Sequence, residues 1–317
     1  MAELATQFPP RWQHRNKVAV AEIATPPDAI HEGEITASRW RGGRIPDALA
    51  LPVVVKEEGF YLYPVPAAKD PTTHWHLNFA DPNLFGYGEG ELLAQDELQI
   101  TEHPALASLG KAIQHGPHGV AGLKRLTRED GEATPVLVEG APRRCALDTR
   151  NLYGDDFARA SEASIRAATE PLRPPTRSNI LALAALRPSH GAYTQEQVRR
   201  LLQTAYTGFR ALVLRSRRVT LHTGFWGCGA FGGNKGLVSA VQMLAAGAAG
   251  VEQVHFWWGS TPLNSSAFDH ALAVAKVLES AGTGEAMRSL ASAGYRWGSA
   301  NENYVPFEPP DFDLSSR

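Results

Sequence analysis

The feature that most constrains this chain is a run of five glycines in ten residues, Gly224 to Gly233, between a strand-like segment and a helix-like one. Upstream, Arg218-Val-Thr-Leu-His222 alternates as a short strand does. Downstream, Asn234 stands where a helix cap belongs, ahead of Leu237, Val238, Val241, Leu244, Ala245 and Ala248 on one helical face. Glycine permits positive φ and close approach of the backbone to a ligand, and the unpaired amides of such a loop point at an anion. His222-Thr-Gly-Phe-Trp-Gly-Cys-Gly-Ala-Phe-Gly-Gly-Asn234 is therefore a candidate diphosphate cradle; the plainer reading is a tight turn with no ligand.

Two familiar phosphate loops can be tested against it. A P-loop ends in Gly-Lys-Ser/Thr, whereas Gly233 is followed by Asn234-Lys235-Gly236. Gly227-x-Gly229-x-x-Gly232 satisfies the dinucleotide fingerprint, but the next strand, Val251 to Trp258, ends in Trp-Trp-Gly-Ser without the carboxylate that holds ribose hydroxyls. A nicotinamide-dependent oxidoreductase is the weaker alternative.

With 43% hydrophobic and 20% charged residues and a net charge of −2, the 317-residue chain has no general attraction for nucleic acid or acidic membranes, so anion binding must be local. Cys145 and Cys228 are too few for a disulfide framework or a cysteine metal cage, and a reducing cytoplasm is expected. The N-terminus has no signal-peptide pattern, and no apolar run is long enough to span a membrane.

Along the chain, residues 1 to 16 read as an irregular arm. Val18-Ala-Val20, Leu51-Pro-Val-Val-Val55 and Phe60-Tyr-Leu-Tyr63 read as short strands of an N-terminal extension over 1–66, packed on a core over 67–305. His74-Trp-His76 has no third metal ligand at useful spacing, and no metal is expected. His76 to Ala80 reads as a strand. A second glycine loop, Asp81-Pro-Asn-Leu-Phe-Gly86-Tyr-Gly88-Glu-Gly90, follows, then a helix over Glu91 to Leu98 carrying Gln95, Asp96 and Glu97. Neighbours on a helix do not share a face, so the two carboxylates would touch different parts of one ligand; the plainer reading is a solvated acidic pair. Residues 104–178 carry little signal beyond a strand over Pro135 to Val138 and a loop over Ala146 to Asp156. Beyond them come a buried strand over Asn179 to Leu186 and a helix over Thr194 to Tyr206, with Thr194 and Gln197 at capping-box spacing and Gly208 as its stop. Strand Val251 to Trp258, a helix over Ser266 to Ser280 and a Pro-rich acidic tail over 306–317 complete an alternating α/β pattern.

Through its two glycine loops the chain resembles the poly(ADP-ribose) glycohydrolase branch of the macrodomain superfamily, over roughly 76–106 and 179–280. Thr223-Gly-Phe-Trp-Gly-Cys-Gly-Ala-Phe-Gly-Gly233 is similar to that family's diphosphate loop nearly residue for residue. Ala205-Tyr-Thr-Gly-Phe209, Ala245-Ala246 and Phe256-Trp-Trp-Gly259 also resemble their counterparts. Leu77-Asn-Phe-Ala-Asp81 with Leu84-Phe-Gly-Tyr-Gly88 is similar to the ribose-binding strand and loop. Three glycines, a spacer and Gln-Glu-Glu are the family signature; here stand Gly86-Tyr-Gly88 and, six residues on, Gln95-Asp-Glu97. Tyr87 thus replaces a glycine, and Asp96 replaces a glutamate.

The resemblance implies a macrodomain-like α/β fold, a mixed sheet sandwiched between helices. It implies Glu97 as the catalytic acid and Asp96 and Gln95 as groups that fix the ribose. Asn78, Asp81, Gly86, Gly88, Gly227, Gly229, Ala230, Phe231 and Gly232 would bind substrate, with Trp258 as an aromatic against the ligand. For the adenine-stacking residue Tyr153 and Phe157 are the candidates. Such a protein would release ADP-ribose from ADP-ribosylated proteins, single units in preference to polymer, as a monomer needing no cofactor. Its alternative is a module that binds ADP-ribose without turnover. The chemistry is coherent: the ribosyl bond breaks through an oxocarbenium-like state, and one partly desolvated carboxyl can protonate the leaving atom and then activate water.

Overall fold

The computed structural model describes residues 1–65, 71–115 and 123–298. In chain order these form α1 (Ala2–Gln7), α2 (Arg15–Ala24), β1 (Thr36–Arg39), β2 (Val53–Glu57), β3 (Thr72–Asn78), α3 (Gln95–Glu102), α4 (Pro104–His115), β4 (Arg128–Glu129) and β5 (Glu132–Ala133). There follow β6 (Val136–Leu147), α5 (Asp156–Arg159), α6 (Glu162–Ala168), β7 (Thr169–Ala182), α7 (Gln195–Arg215), β8 (Arg218–Gly224), α8 (Lys235–Ala249), β9 (Gln253–Trp257), α9 (Pro262–Leu278) and α10 (Thr283–Ser292). The tail expected over 306–317 lies outside the described residues.

Two compact units result. The first comprises Met1–Arg39, Asn78–Thr127 and Val136–Ala182; the second Trp40–Leu77, Arg128–Pro135 and Leu183 onward. In the first, β1, β6 and β7 pair antiparallel, with Arg39 opposite Val136 and Val136 opposite Ala182. Its core gathers Val20, Leu93, Cys145, Leu147, Phe157 and Ile165. In the second, β3, β8, β9 and β2 are parallel in that order, with His76 opposite His222 and His222 opposite His255. Helices α7, α8 and α9 pack in succession in this unit, burying Leu237, Val241, Leu244, Phe256 and Phe268. The α/β class with strands of mixed direction is thus as expected.

Several elements depart from the expectation. Val18 to Val20 lies within α2, not a strand, and residues 2–7 are helical. Asn16, Val20 and Ala24, one turn apart, are all buried, and a three-residue apolar run cannot separate a period of 2 from one of 3.6. Phe60 to Tyr63 is not a strand: the Tyr61 hydroxyl donates to the Leu77 carbonyl, and Tyr63 stacks on His76 at 4.2 Å. Its aromatics dock by their rings rather than on a pleat. Helix α7 has the expected capping box at Thr194 and Gln197 but runs through Gly208 to Arg215. Burial of Phe209, Ala211 and Leu212 beyond the glycine outweighs the roughly 1 kcal/mol that a mid-helix glycine costs. Strand β7 starts ten residues before Asn179 and ends at Ala182, because its register is set by pairing with β6.

Candidate active site

In the first unit the acidic helix begins four residues later than its pattern suggests. Ala94 is the N-cap, and Gln95, Asp96 and Glu97 fill the first turn of α3, where the helix dipole favours negative charge. Each is held differently. The Gln95 side-chain oxygen accepts the Phe79 amide at 2.7 Å, and Asn78 Nδ2 donates to Asp96 Oδ1 at 2.8 Å. Glu97 is held by backbone hydrogen bonds from its own amide and that of Ala94, which favour its charged form. Asp81 Oδ1 accepts the Asn83 amide at 2.7 Å, and its carbonyl accepts the Thr127 hydroxyl.

Asp96 and Glu97 are only 6% and 7% exposed, so neither is the solvated surface pair of the plainer reading. Burial, then the neighbouring Glu97 charge, pushes Asp96 up from 3.8 to about 8, against the hydrogen bond from Asn78 and the charge of Lys17. Burial also raises Glu97, opposed first by Lys17. Two adjacent buried carboxyls cannot both ionise freely, and they titrate as one pair that keeps a proton through neutral pH.

The loop before them is crowded rather than left-handed at its glycines. A Cβ on Gly88 would stand 2.5 Å from Ile100 Cδ1, and one on Gly86 would stand 2.3 Å from Asn83 Nδ2. The positive φ of this loop falls instead on Phe85, at 52°. Tyr87, between the two glycines, is 60% exposed. Phe157 is fully buried in the first unit's core and cannot stack on a ligand base; Tyr153 is half-buried.

Lys17 was not visible as a functional residue in the sequence. It is fully buried, and its ammonium donates to the Gly88 carbonyl at 2.6 Å. Burial lowers it from 10.5 to about 8, while Glu97, Asp96 and Glu89 pull it back up.

In the second unit β8 delivers the glycine loop. Thr223 donates to Gln242 of α8 at 2.6 Å and Gln242 donates to the Gly224 carbonyl at 3.0 Å, which fastens the strand end to the helix. The loop folds on itself through Gly232 N–H to the Gly229 carbonyl and Gly233 N–H to the Gly227 carbonyl, both 2.9 Å. Gly227 (φ 70°) and Gly232 (φ 63°) are left-handed, and a Cβ on Gly227 would meet the Ala185 methyl at 2.3 Å. Trp226 is buried, its indole donating to the Leu183 carbonyl. Asn234 caps α8 by accepting the Leu237 amide at 3.1 Å. Among the described residues the amides of Gly227, Gly229 and Phe231 donate to no carbonyl, and Ala230 is exposed. The segment after α10 clamps this loop: Gly298 N–H donates to the Gly232 carbonyl, Asn234 Nδ2 to the Arg296 carbonyl, and Trp297 stacks on Tyr193 at 4.4 Å. No periodic pattern in residues 293–298 signals that role.

Trp258 leaves β9 at the same sheet end where Gly224 leaves β8, since Gly224 is opposite Trp257. Carboxyl ends of parallel strands are where α/β proteins bind ligands. Its ring is half-buried, with the Lys56 ammonium 5.6 Å from a ring centroid. His74 and His76 join His222 and His255 in a row of rings: His74 bonds His222 at 3.0 Å, and His222 stacks on His76 at 4.4 Å. Among the described residues no group of three His, Cys, Asp or Glu could hold a metal ion, and no helix is long and apolar enough to cross a membrane.

A parallel sheet whose strand ends in a capped, folded glycine loop, flanked by helices, is an α/β fold of the macrodomain class. Residues 135–264 match the family model of poly(ADP-ribose) glycohydrolase (PARG), macro domain fold. The match covers the strands and helices from β6 to the start of α9, including the glycine loop after β8. Solved structures similar to it include the PARG of Thermomonospora curvata (18% identity, 85% of this chain and 97% of that one, TM-score 0.48). The same enzyme bound to the inhibitor ADP-HPD is similar over 84% of this chain and 96% of that one (18% identity, TM-score 0.48). The Deinococcus radiodurans PARG in complex with ADP-ribose matches at 20% identity over 63% of this chain and 75% of that one, with a TM-score of 0.42.

Proposed function

We propose that this protein releases ADP-ribose from ADP-ribosylated proteins, with Glu97 as the one carboxyl that acts in turn as acid and base, and that it prefers single ADP-ribose units to polymer. The observation that carries the reading is the buried Asp96–Glu97 pair, which keeps a proton at neutral pH where an exposed carboxylate would have lost it. Glu97 protonates the leaving oxygen as the C1–O ribosyl bond breaks, then takes a proton from the water that adds to the oxocarbenium carbon. Asp96 is pinned by Asn78 and has the shorter reach, so it orients the ribose and shares the proton. The glycine loop of the second unit is assigned the diphosphate: the amides of Gly227, Gly229 and Phe231 donate to no carbonyl among the described residues. Asp96 in place of a longer acid, and Tyr87 in place of a glycine, supply the argument for single units, since both alter the room for a leaving ribose.

The deciding experiment compares Glu97→Gln with the unmutated chain on mono-ADP-ribosylated protein, following free ADP-ribose. Gln keeps the size of Glu but cannot cycle a proton, so turnover is expected to fall on the order of 100-fold or more with ADP-ribose affinity retained. Full activity in Glu97→Gln, with loss in Asp96→Asn, would move the catalytic role to Asp96. A folded wild-type protein that binds ADP-ribose but releases none would leave only the binding module.

A further inference from the structure

We propose that Lys17, from the N-terminal helix α2, is a positioning residue for the hydrolysis: its buried ammonium ties α2 to the Gly88 loop and sets a positive charge beside the Asp96–Glu97 pair. The inference rests on the reading of Glu97 as the catalytic carboxylate. Lysine is almost never fully buried unless it is paired, and for packing alone an apolar side chain of the same length would serve better here. Lys17 is nevertheless fully buried, next to Asn16, which is also buried and donates to the Phe157 and Ala160 carbonyls at 2.6 and 3.0 Å. These bonds hold α2 so that Lys17 Nζ reaches the Gly88 carbonyl at 2.6 Å, where a Cβ would stand 2.5 Å from Ile100 of α3. Its ammonium lies 6.0 Å from the Phe157 ring centroid, inside the apolar core rather than in solvent.

The charges that act on Lys17 are Glu97 first, then Asp96 and Glu89. Glu89 already has a partner in Lys111 at 2.6 Å, and Asp81 acts on both carboxyls of the pair. Of the other elements packed on α2, α6 brings Arg166 to Glu22 and β7 brings Arg173 to the Ile23 carbonyl, while β6 brings Arg143, paired with Glu102 of α3 at 2.8 Å, and Arg144, which donates to the Ile30 carbonyl at 2.8 Å. Lys17 is the cation that acts on both carboxyls of the pair, and it is the foremost opposing charge on Glu97. A cation there favours the ionised form of Glu97, which is the form that activates water. Without it both carboxyls keep their protons to higher pH.

The test uses the full chain with Lys17→Met, which removes the charge, and Lys17→Gln, which removes the charge but keeps a donor for the Gly88 carbonyl. For each, kcat/KM for ADP-ribose release is measured from about pH 6 to about pH 10, together with the carboxyl ¹³C titrations of Asp96 and Glu97. In both variants the alkaline limb and the carboxyl midpoints are expected to move up by on the order of one pH unit, with turnover at neutral pH reduced. Profiles that superimpose on wild type after scaling would show a purely structural role and overturn the inference. Should neither variant fold, the unmutated protein decides: the Lys17 ¹³Cε resonance is expected to shift with the same midpoint as the Asp96 carboxyl, and independent titration refutes the coupling. Absence of turnover in the wild type would refute the functional reading separately, because the carboxyl midpoints still report whether Lys17 governs the pair.

Discussion

Asp96→Asn is expected to make the fold more stable in alkali, and by a smaller margin in mild acid. The folded chain holds the Asp96 proton up to about pH 8, whereas the unfolded chain releases it near 3.8. The folded state therefore binds more protons throughout that window, and the associated stability is present in full below 3.8 and lost as pH rises through 8. At about 1.4 kcal/mol per pH unit, complete ionisation of a group shifted this far costs the fold several kcal/mol. Asn keeps an oxygen for the 2.8 Å bond from Asn78 Nδ2 and never ionises. Part of the gain in alkali is offset because Lys17 loses one of its counter-charges, which leaves a net gain on the order of 2 kcal/mol at pH 9 and a smaller one at pH 5, where only the first part of the 3.8-to-8 window has been crossed. Urea unfolding of both proteins at pH 5, 7 and 9 measures it through the shift in midpoint at constant slope. Equal differences at the three pH values, or a less stable variant at pH 9, would refute the assignment of a buried, proton-holding carboxyl. The same variant is expected to lose part of its hydrolytic activity through ribose positioning, which would make the site one where activity is bought with stability.

ADP-ribose at 100 times its dissociation constant is expected to add about 2.7 kcal/mol, or roughly 5 °C in Tm. Gly232→Val, at a φ of 63° that a branched residue resists, should abolish that response, and a variant that still responds would place the diphosphate elsewhere. Tyr87→Gly is expected to raise the rate on polymer relative to mono-ADP-ribosylated protein; an unchanged ratio would remove Tyr87 from the account of substrate size. His222 is held far below its usual pKa by burial and then by His76, His255 and His74. The unfolded chain binds its proton near pH 6.5 and the folded chain does not, so stability falls as pH drops below about 6.5. His222→Gln should flatten that acid limb in a urea-midpoint series, and an unaltered limb would acquit the histidine row.

The glycine loop, its Asn234 cap and the helix after it were legible in the sequence because each is a local device. A φ of 70° at Gly227 and a side-chain oxygen accepting the Leu237 amide need only neighbours in the chain, and the residue types declare them. The same holds for the capping box of α7, and for Gln95, Asp96 and Glu97, whose order could be matched without knowing that α3 starts at Gln95. What the sequence could not carry was long-range pairing. Strand β7 begins at Thr169 because β6 is there to pair with it, and α7 ignores Gly208 because Phe209 and Leu212 have a core to enter. The electrostatics of the acid pair belong to this second class. Whether Asp96 and Glu97 are a solvated pair or a proton-holding one depends on burial and on Lys17, about eighty residues away, in a stretch that composition reads as an irregular arm and a short strand. A residue's type fixes which charges it can bear, but the dielectric around it and the partners within reach come only from the folded chain, and these set its pKa.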